Sequence, residues 1–92
     1  VVIVTNEDPY DEEPMSIIDE IADSAKAYGK IDGTDLFRIL DRKEAIEKAI
    51  SLAEHGDVVL VTGKGSEPVM AISGGRKVTS DDRVFVRDIL GL

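Results

Sequence analysis

The sequence predicts a small α/β layer fold with a mainly parallel sheet and a C-terminal β-hairpin. Short apolar runs without alternation, Val1 to Val4 and Val58 to Val61, read as strands buried on both faces. Segments with apolar residues at helical spacing lie between such runs, the β-α-β order of a parallel sheet with right-handed crossovers. Finally, 92 residues with 42% apolar content suit one domain with a thin core.

The first strand, Val1 to Val4, stops at the polar loop Thr5-Asn6-Glu7-Asp8-Pro9-Tyr10. Pro14 suits the first turn of a helix, where its missing N–H is not needed. Met15, Ile18, Ala22 and Ala25 then recur at helical spacing, with Ile17, Ile21 and Tyr28 beside them, and Gly29 supplies the stop. A turn around Gly33 leads into a second strand, Leu36 to Leu40. Asp41-Arg42-Lys43-Glu44 has capping-box spacing, Asp41 accepting from a free backbone N–H and Glu44 reaching back. Ala45, Ile46, Ala49, Ile50, Leu52 and Ala53 give the second helix its apolar stripe, and His55-Gly56 is expected to end it, with a possible cation in the last turn.

Val58 to Val61 is expected to be the third strand. Beyond Thr62-Gly63-Lys64-Gly65-Ser66-Glu67-Pro68, the runs Val69 to Ile72 and Arg76 to Thr79 flank Gly74-Gly75 as a hairpin. Asp81 or Asp82 caps a last helix, with Phe85, Val86, Ile89 and Leu90 as its apolar positions. In open α/β sheets ligands collect outside the carboxyl ends of the strands, which singles out the loops Thr5–Pro14 and Thr62–Pro68.

Eleven Lys and Arg against 19 Asp and Glu leave a net charge of -8. Nucleic acid is therefore an unsuitable partner, because neutralising phosphates needs a basic face. All of the imbalance sits in residues 1–25, which hold eight acids and no Lys or Arg. Such a stretch either attracts cationic ligands or is a solvated helix start whose acids complement the dipole. No apolar run approaches the ~20 residues of a membrane span, and no basic-then-apolar signal segment opens the chain. With no Cys, disulfides, thiolate metal sites and a Cys nucleophile are excluded. A soluble, cytoplasmic domain without membrane contact is expected. Opening at Val inside an apolar run, the chain reads as a piece of a longer protein.

A complete catalytic machine is not legible. Gly63-Lys64-Gly65-Ser66-Glu67 invites a phosphate-loop reading, but the glycine-lysine spacing fails and a strand rather than a helix is expected after Pro68. The alternatives are a tight loop that lets backbone approach a ligand while Glu67 presents a carboxylate, or an ordinary turn. Glu7-Asp8-Pro9-Tyr10-Asp11 lacks calcium-loop spacing and its central Gly, so no metal site is assigned. His55, the only histidine, reads as a helix-end cap rather than a catalyst. No Ser–His–Asp set can be assembled, and no residue is assigned a catalytic role.

The strand end and Asn6-Glu7-Asp8-Pro9-Tyr10-Asp11-Glu12-Glu13-Pro14 resemble the signature loop of the Mur ligases that add the third amino acid to UDP-N-acetylmuramoyl dipeptide. Asp41-Arg42-Lys43-Glu44-Ala45-Ile46, Gly56-Asp57-Val58-Val59-Leu60, Gly63-Lys64-Gly65-Ser66-Glu67 and Ser80-Asp81-Asp82-Arg83 resemble later blocks of the same domain, in the same order. The resemblance implies a small Rossmann-like three-layer domain: residues 1–92 as the C-terminal, amino-acid-binding domain, lacking its first strand and helix. It further implies a parent ATP-dependent acid–amino-acid ligase of peptidoglycan precursor synthesis, cytoplasmic and tied to cell-wall growth and cell division. In that family the central domain carries ATP and magnesium, so this chain alone is expected to hold neither cofactor and to be inactive. UDP-N-acetylmuramoyl dipeptide is met through the absent domains.

The implied substrate-binding residues are Glu7, Asp8, Pro9, Tyr10, Gly63 and Glu67. In the diaminopimelate-adding branch the first loop reads Asp-Asn-Pro-Arg, so Glu7, Asp8, Pro9 and Tyr10 take those places, and Ser66 replaces the commoner His. Tyr10 is the departure that matters, because tyrosine cannot grip a distal carboxylate as a guanidinium does. With Asp8 and Glu67 both acidic, the resemblance favours, of lysine, ornithine and diaminopimelate, a substrate with a distal ammonium and no second carboxylate. A non-catalytic α/β ligand-binding or regulatory module that retains the fold only is the alternative. An uncovered apolar edge at Val1 to Val4 also predicts a homodimer at high concentration.

Overall fold

The protein is described by a computed structural model that covers residues 1–63 and 68–92. Val2–Thr5 (β1) and Leu36–Ile39 (β2) pair in parallel, Val2 opposite Leu36 and Thr5 opposite Ile39. Between them runs the helix Pro14–Ala27 (α1), and after them Arg42–Leu52 (α2). Successive residues of β1 face opposite ways. Val2 and Val4 pack with Met15, Ile18, Ala22 and Ala25 of α1 and with Leu36, while Ile3 shares a cleft with Ala45, Ile46 and Ala49 of α2. Helices therefore cover both faces of the pair, which is why its strands read as apolar without alternation.

Each helix starts where its residues predict. Pro14 opens α1, and the Glu13 carboxylate caps it by accepting from the Ser16 N–H at 2.8 Å. Asp41 does the same for α2, accepting from Glu44 N–H at 3.0 Å. Ile18 and Leu36 are the largest fully buried side chains, each contributing roughly 1.5–3 kcal/mol on leaving water.

Two expectations are corrected. First, α2 ends at Leu52, and His55 lies in a turn beyond it rather than in its last turn. The Asp57 carboxylate accepts from Glu54 N–H at 2.8 Å and Asp57 N–H donates to Glu54 O at 2.9 Å, so a closed turn takes up the bonds that another helical turn would use. Second, Val58 to Val61 is not a strand, so the parallel sheet has two strands among the described residues rather than three. Those residues form the far wall of a cleft of about 440 Å³ facing β1 and α2, and the cleft stands where ladder hydrogen bonds would be needed. Val58 and Leu60 are 89% and 81% exposed, so the second cover that makes such a run a buried strand is missing.

The last third follows expectation. Val69–Ala71 (β3) and Lys77–Thr79 (β4) pair antiparallel around a 3₁₀ turn at Ser73–Gly75, in which Gly74 and Gly75 take φ of +74° and +71°. Asp81 caps the final helix, Asp82–Leu90 (α3), which packs on α2. No helix among the described residues is long and apolar enough to cross a membrane.

Candidate functional site

The loop that leaves the carboxyl end of β1 is tied down on the hairpin. The Asp8 carboxylate accepts from Ala71 N–H at 2.9 Å, and Tyr10 N–H donates to Ala71 O at 3.4 Å. One turn further, the Asp11 carboxylate accepts from Gly74 N–H at 2.8 Å. Pro9 is buried between these anchors. Tyr10 is exposed and takes a φ of +52°, the left-handed region that costs a side chain roughly 1–2 kcal/mol. Three hydrogen bonds to the hairpin, at Asp8, at Tyr10 N–H and at Asp11, hold it there, and strain kept in this way is concentrated at functional loops.

Glu7 is exposed and reaches the second loop. Its carboxylate lies against Gly63, in the space a side chain at that position would fill. Gly63 adopts φ +101°, so both the backbone conformation and the close approach call for glycine. The loop that leaves β1 and the segment at Gly63, both singled out by the expected strand order, are thus in contact. Of the predicted site residues, Glu7 and Gly63 meet, Asp8 anchors the first loop to the hairpin, Pro9 is buried beside that anchor, and Tyr10 stands exposed on the loop. Glu67 lies outside the described residues.

Behind this contact sits a group that sequence reasoning assigned only to helix starts. Arg42 is 6% exposed, and its guanidinium grips the Asp82 carboxylate with Nε and Nη2 at 2.7 and 2.8 Å. Nη1 donates to Asn6 O at 3.0 Å and Nη2 to Thr62 O at 2.9 Å. A signal was present in the sequence: a cation in the first turn of a helix opposes the dipole, so Arg42 had to be there for another purpose. Likewise only one of Asp81 and Asp82 was needed as a cap.

The acids of the first quarter are largely accounted for by structure. Glu13 caps α1, Asp8 and Asp11 bind hairpin amides, and Asp19 and Asp23 join Asp32 around Arg38 at 2.9 to 3.1 Å. Those pairings, that with Asp32 foremost, hold the Arg38 guanidinium above its ordinary range, and Arg38 in turn lowers the Asp32 carboxyl. Five of the eight acids thus have structural partners.

Residues 1–65 match the family described as Mur ligase, glutamate ligase domain. The chain belongs to the Mur ligase family. It is similar to the UDP-N-acetylmuramoyl-L-alanyl-D-glutamate–2,6-diaminopimelate ligases of Cytophaga hutchinsonii and Aquifex aeolicus, 39% identical over 97% of this chain and 40% over 99%. It is likewise 41% identical over its whole length to the UDP-N-acetylmuramyl-tripeptide synthetase of Borreliella burgdorferi. The match covers 18% of each of these relatives, so the chain spans about a fifth of their length. The Mur ligase resemblance carried by the five sequence blocks is borne out, and the α/β class with it.

The Mur ligase resemblance implies ATP and magnesium in the parent, so their fit to these residues can be tested. The segment that begins at Gly63 leads into a strand at Val69, not into a helix whose N-terminus faces phosphates. Among the described residues no group of three or more acidic or histidine side chains is placed to hold a metal ion. Neither group fits these residues, and no step is assigned to them here.

Proposed function

We propose that this chain is the amino-acid-binding domain of an ATP-dependent Mur ligase that adds the third residue to UDP-N-acetylmuramoyl dipeptide, in the cytoplasmic synthesis of peptidoglycan for wall growth and division. The observation that carries the reading is the contact of Glu7 with Gly63, which joins the two family loops at the carboxyl end of β1. ATP, magnesium and the UDP substrate would be held by other domains of the parent enzyme, with the Rossmann-like chain closing over the acceptor amino acid.

The role of the chain is to bind and orient that amino acid. Its attacking amine must meet an activated dipeptide carboxylate, and holding two reactants in line removes much of the entropic barrier. Glu7, exposed at the loop junction, offers a carboxylate to a distal ammonium, and Glu67 is assigned the same task. Tyr10 stands where the diaminopimelate branch has Arg and cannot form a bidentate pair with a second carboxylate. A distal ammonium next to carboxylates keeps its charged form, whereas a distal carboxylate would be repelled. Lysine or ornithine is therefore the preferred substrate.

Kinetics on the parent ligase test this directly. Tyr10→Arg should move kcat/KM toward diaminopimelate, and Glu67→Gln should weaken use of lysine or ornithine. Efficient diaminopimelate addition by the unmodified enzyme, with lysine ignored, would end the specificity claim. The exposed Val1, Val58 and Leu60 beside the cleft at β1 support a second element of the reading, self-association through this edge at high concentration.

A further inference from the structure

We propose that Arg42 is a positioning residue: its buried guanidinium sets the spacing between the two loops of the amino-acid site. The proposal rests on the reading of those loops as that site. The geometry is specific about where the anchors fall. Nη1 holds the carbonyl of Asn6, and the next residue is Glu7; Nη2 holds the carbonyl of Thr62, and the next residue is Gly63. Each loop is thus fixed at the residue immediately before the pair that meets across the junction.

The guanidinium is itself immobilised. Asp82, the first residue of α3, receives two of its N–H groups, and α3 packs on the helix that Arg42 opens. One planar group therefore ties β1's exit, the approach to Gly63 and two helix starts to a common point. A lysine carries the same charge but donates from a single nitrogen and cannot span three segments in the plane of a fork. Neither Asn6 nor Thr62 needs a particular side chain for this, because both are held by backbone carbonyls. That is why the arrangement leaves so little trace in the two loops themselves.

Arg42→Lys in the ligase that carries this chain tests the proposal, read by amide hydrogen exchange and by steady-state kinetics. Ile46→Val is the control, a buried residue of the same helix whose side chain offers no hydrogen bond to either loop anchor. Arg42→Lys should speed exchange at Glu7, Tyr10 and Gly63 and raise KM for the third amino acid roughly 10–100-fold, as misplacement of a binding group does. KM for ATP should stay within about twofold, since a role in amino-acid positioning leaves the binding of the other substrates in place. Ile46→Val should move neither readout. Asp82→Asn, which keeps the shape of the anchor and weakens the fork, gives the same reading if Arg42→Lys does not fold. Unchanged loop exchange, or an equal effect from the control, overturns the proposal. Loosened loops with an unmoved amino-acid KM overturn the positioning role, whereas an unmodified enzyme that takes up no third amino acid overturns the assignment of the site and the positioning role with it.

Discussion

Removing the Asp82 carboxylate should be among the most damaging single changes this small domain can suffer. Arg42 and Asp82 have side chains only 5% and 8% exposed and meet through two bonds of 2.7 and 2.8 Å. Asp82→Ala leaves a buried guanidinium facing, among the described residues, the carbonyls Asn6 O and Thr62 O without a counterion. Breaking a buried pair from one side costs roughly 3–5 kcal/mol, because the remaining charge stays out of water without its counterion. A 92-residue domain holds about 5–14 kcal/mol in total. With about 4–8 °C of Tm lost per kcal/mol at this size, the midpoint should fall by at least ~12 °C. Thermal unfolding followed by far-UV circular dichroism measures this. The neighbouring cap variant Asp81→Ala should be distinctly milder, since Asp81 is partly exposed and its partner Arg83 can return to water. Replacing both partners by apolar residues, Arg42→Met with Asp82→Leu, should recover part of the loss, because the uncompensated charge goes with its partner. An Asp82→Ala midpoint no lower than that of Asp81→Ala would refute the reasoning.

Gly63→Ala should cost about 1–3 kcal/mol from its φ alone and displace the Glu7 side chain, to be read by urea unfolding and by the Glu7 side-chain resonances. Tyr10→Asn should leave stability unchanged or raise it by about 0.5–1 kcal/mol, since asparagine tolerates the left-handed region and Tyr10 is 63% exposed; a clear loss would show that the ring is needed for packing. The Asp32 carboxyl should titrate below its ordinary value of 3.8, chiefly through its hydrogen bond from Arg38. A depressed folded value means its stabilisation is present above that pH and is lost as pH falls through the lowered midpoint; carbon-detected NMR titration should show this, with Arg38→Gln returning the midpoint upward. Leu60→Lys should abolish any dimer seen by sedimentation at millimolar concentration, and a purely monomeric wild-type profile would remove the self-association reading.

Local signals carried most of the fold. Pro14 with the acid before it, Asp41 three residues ahead of Glu44, and Asp81 before an apolar stripe each dictate a helix start through bonds made within one turn. Gly74-Gly75 dictates the hairpin in the same way. What local chemistry does not carry is coverage. Val58 to Val61 has the composition of a buried strand, yet a strand exists only where a neighbour supplies ladder bonds and a second layer, and here a cleft stands in their place. His55 falls outside α2 for a related reason: the Asp57 carboxylate takes the Glu54 N–H, and the helix ends early.

The site was legible to a similar depth. Position at the carboxyl ends of the strands singled out both loops, and the contact of Glu7 with Gly63 joins them. Nothing in the spacing of Arg42, Asn6, Thr62 and Asp82 announces that they converge, since two of the four contribute only backbone carbonyls. A guanidinium at a helix start is the single residue-level clue, and it becomes informative only once capping has been assigned to Asp41.

The most direct test gives the full-length protein that contains this chain ATP, magnesium, UDP-N-acetylmuramoyl dipeptide and equal amounts of lysine, ornithine and meso-diaminopimelate, and identifies any product by mass spectrometry. The account predicts a tripeptide product bearing lysine or ornithine, with Tyr10→Arg shifting it toward diaminopimelate. A product bearing only diaminopimelate would contradict the specificity, and no amino-acid-dependent product at all would contradict the central claim.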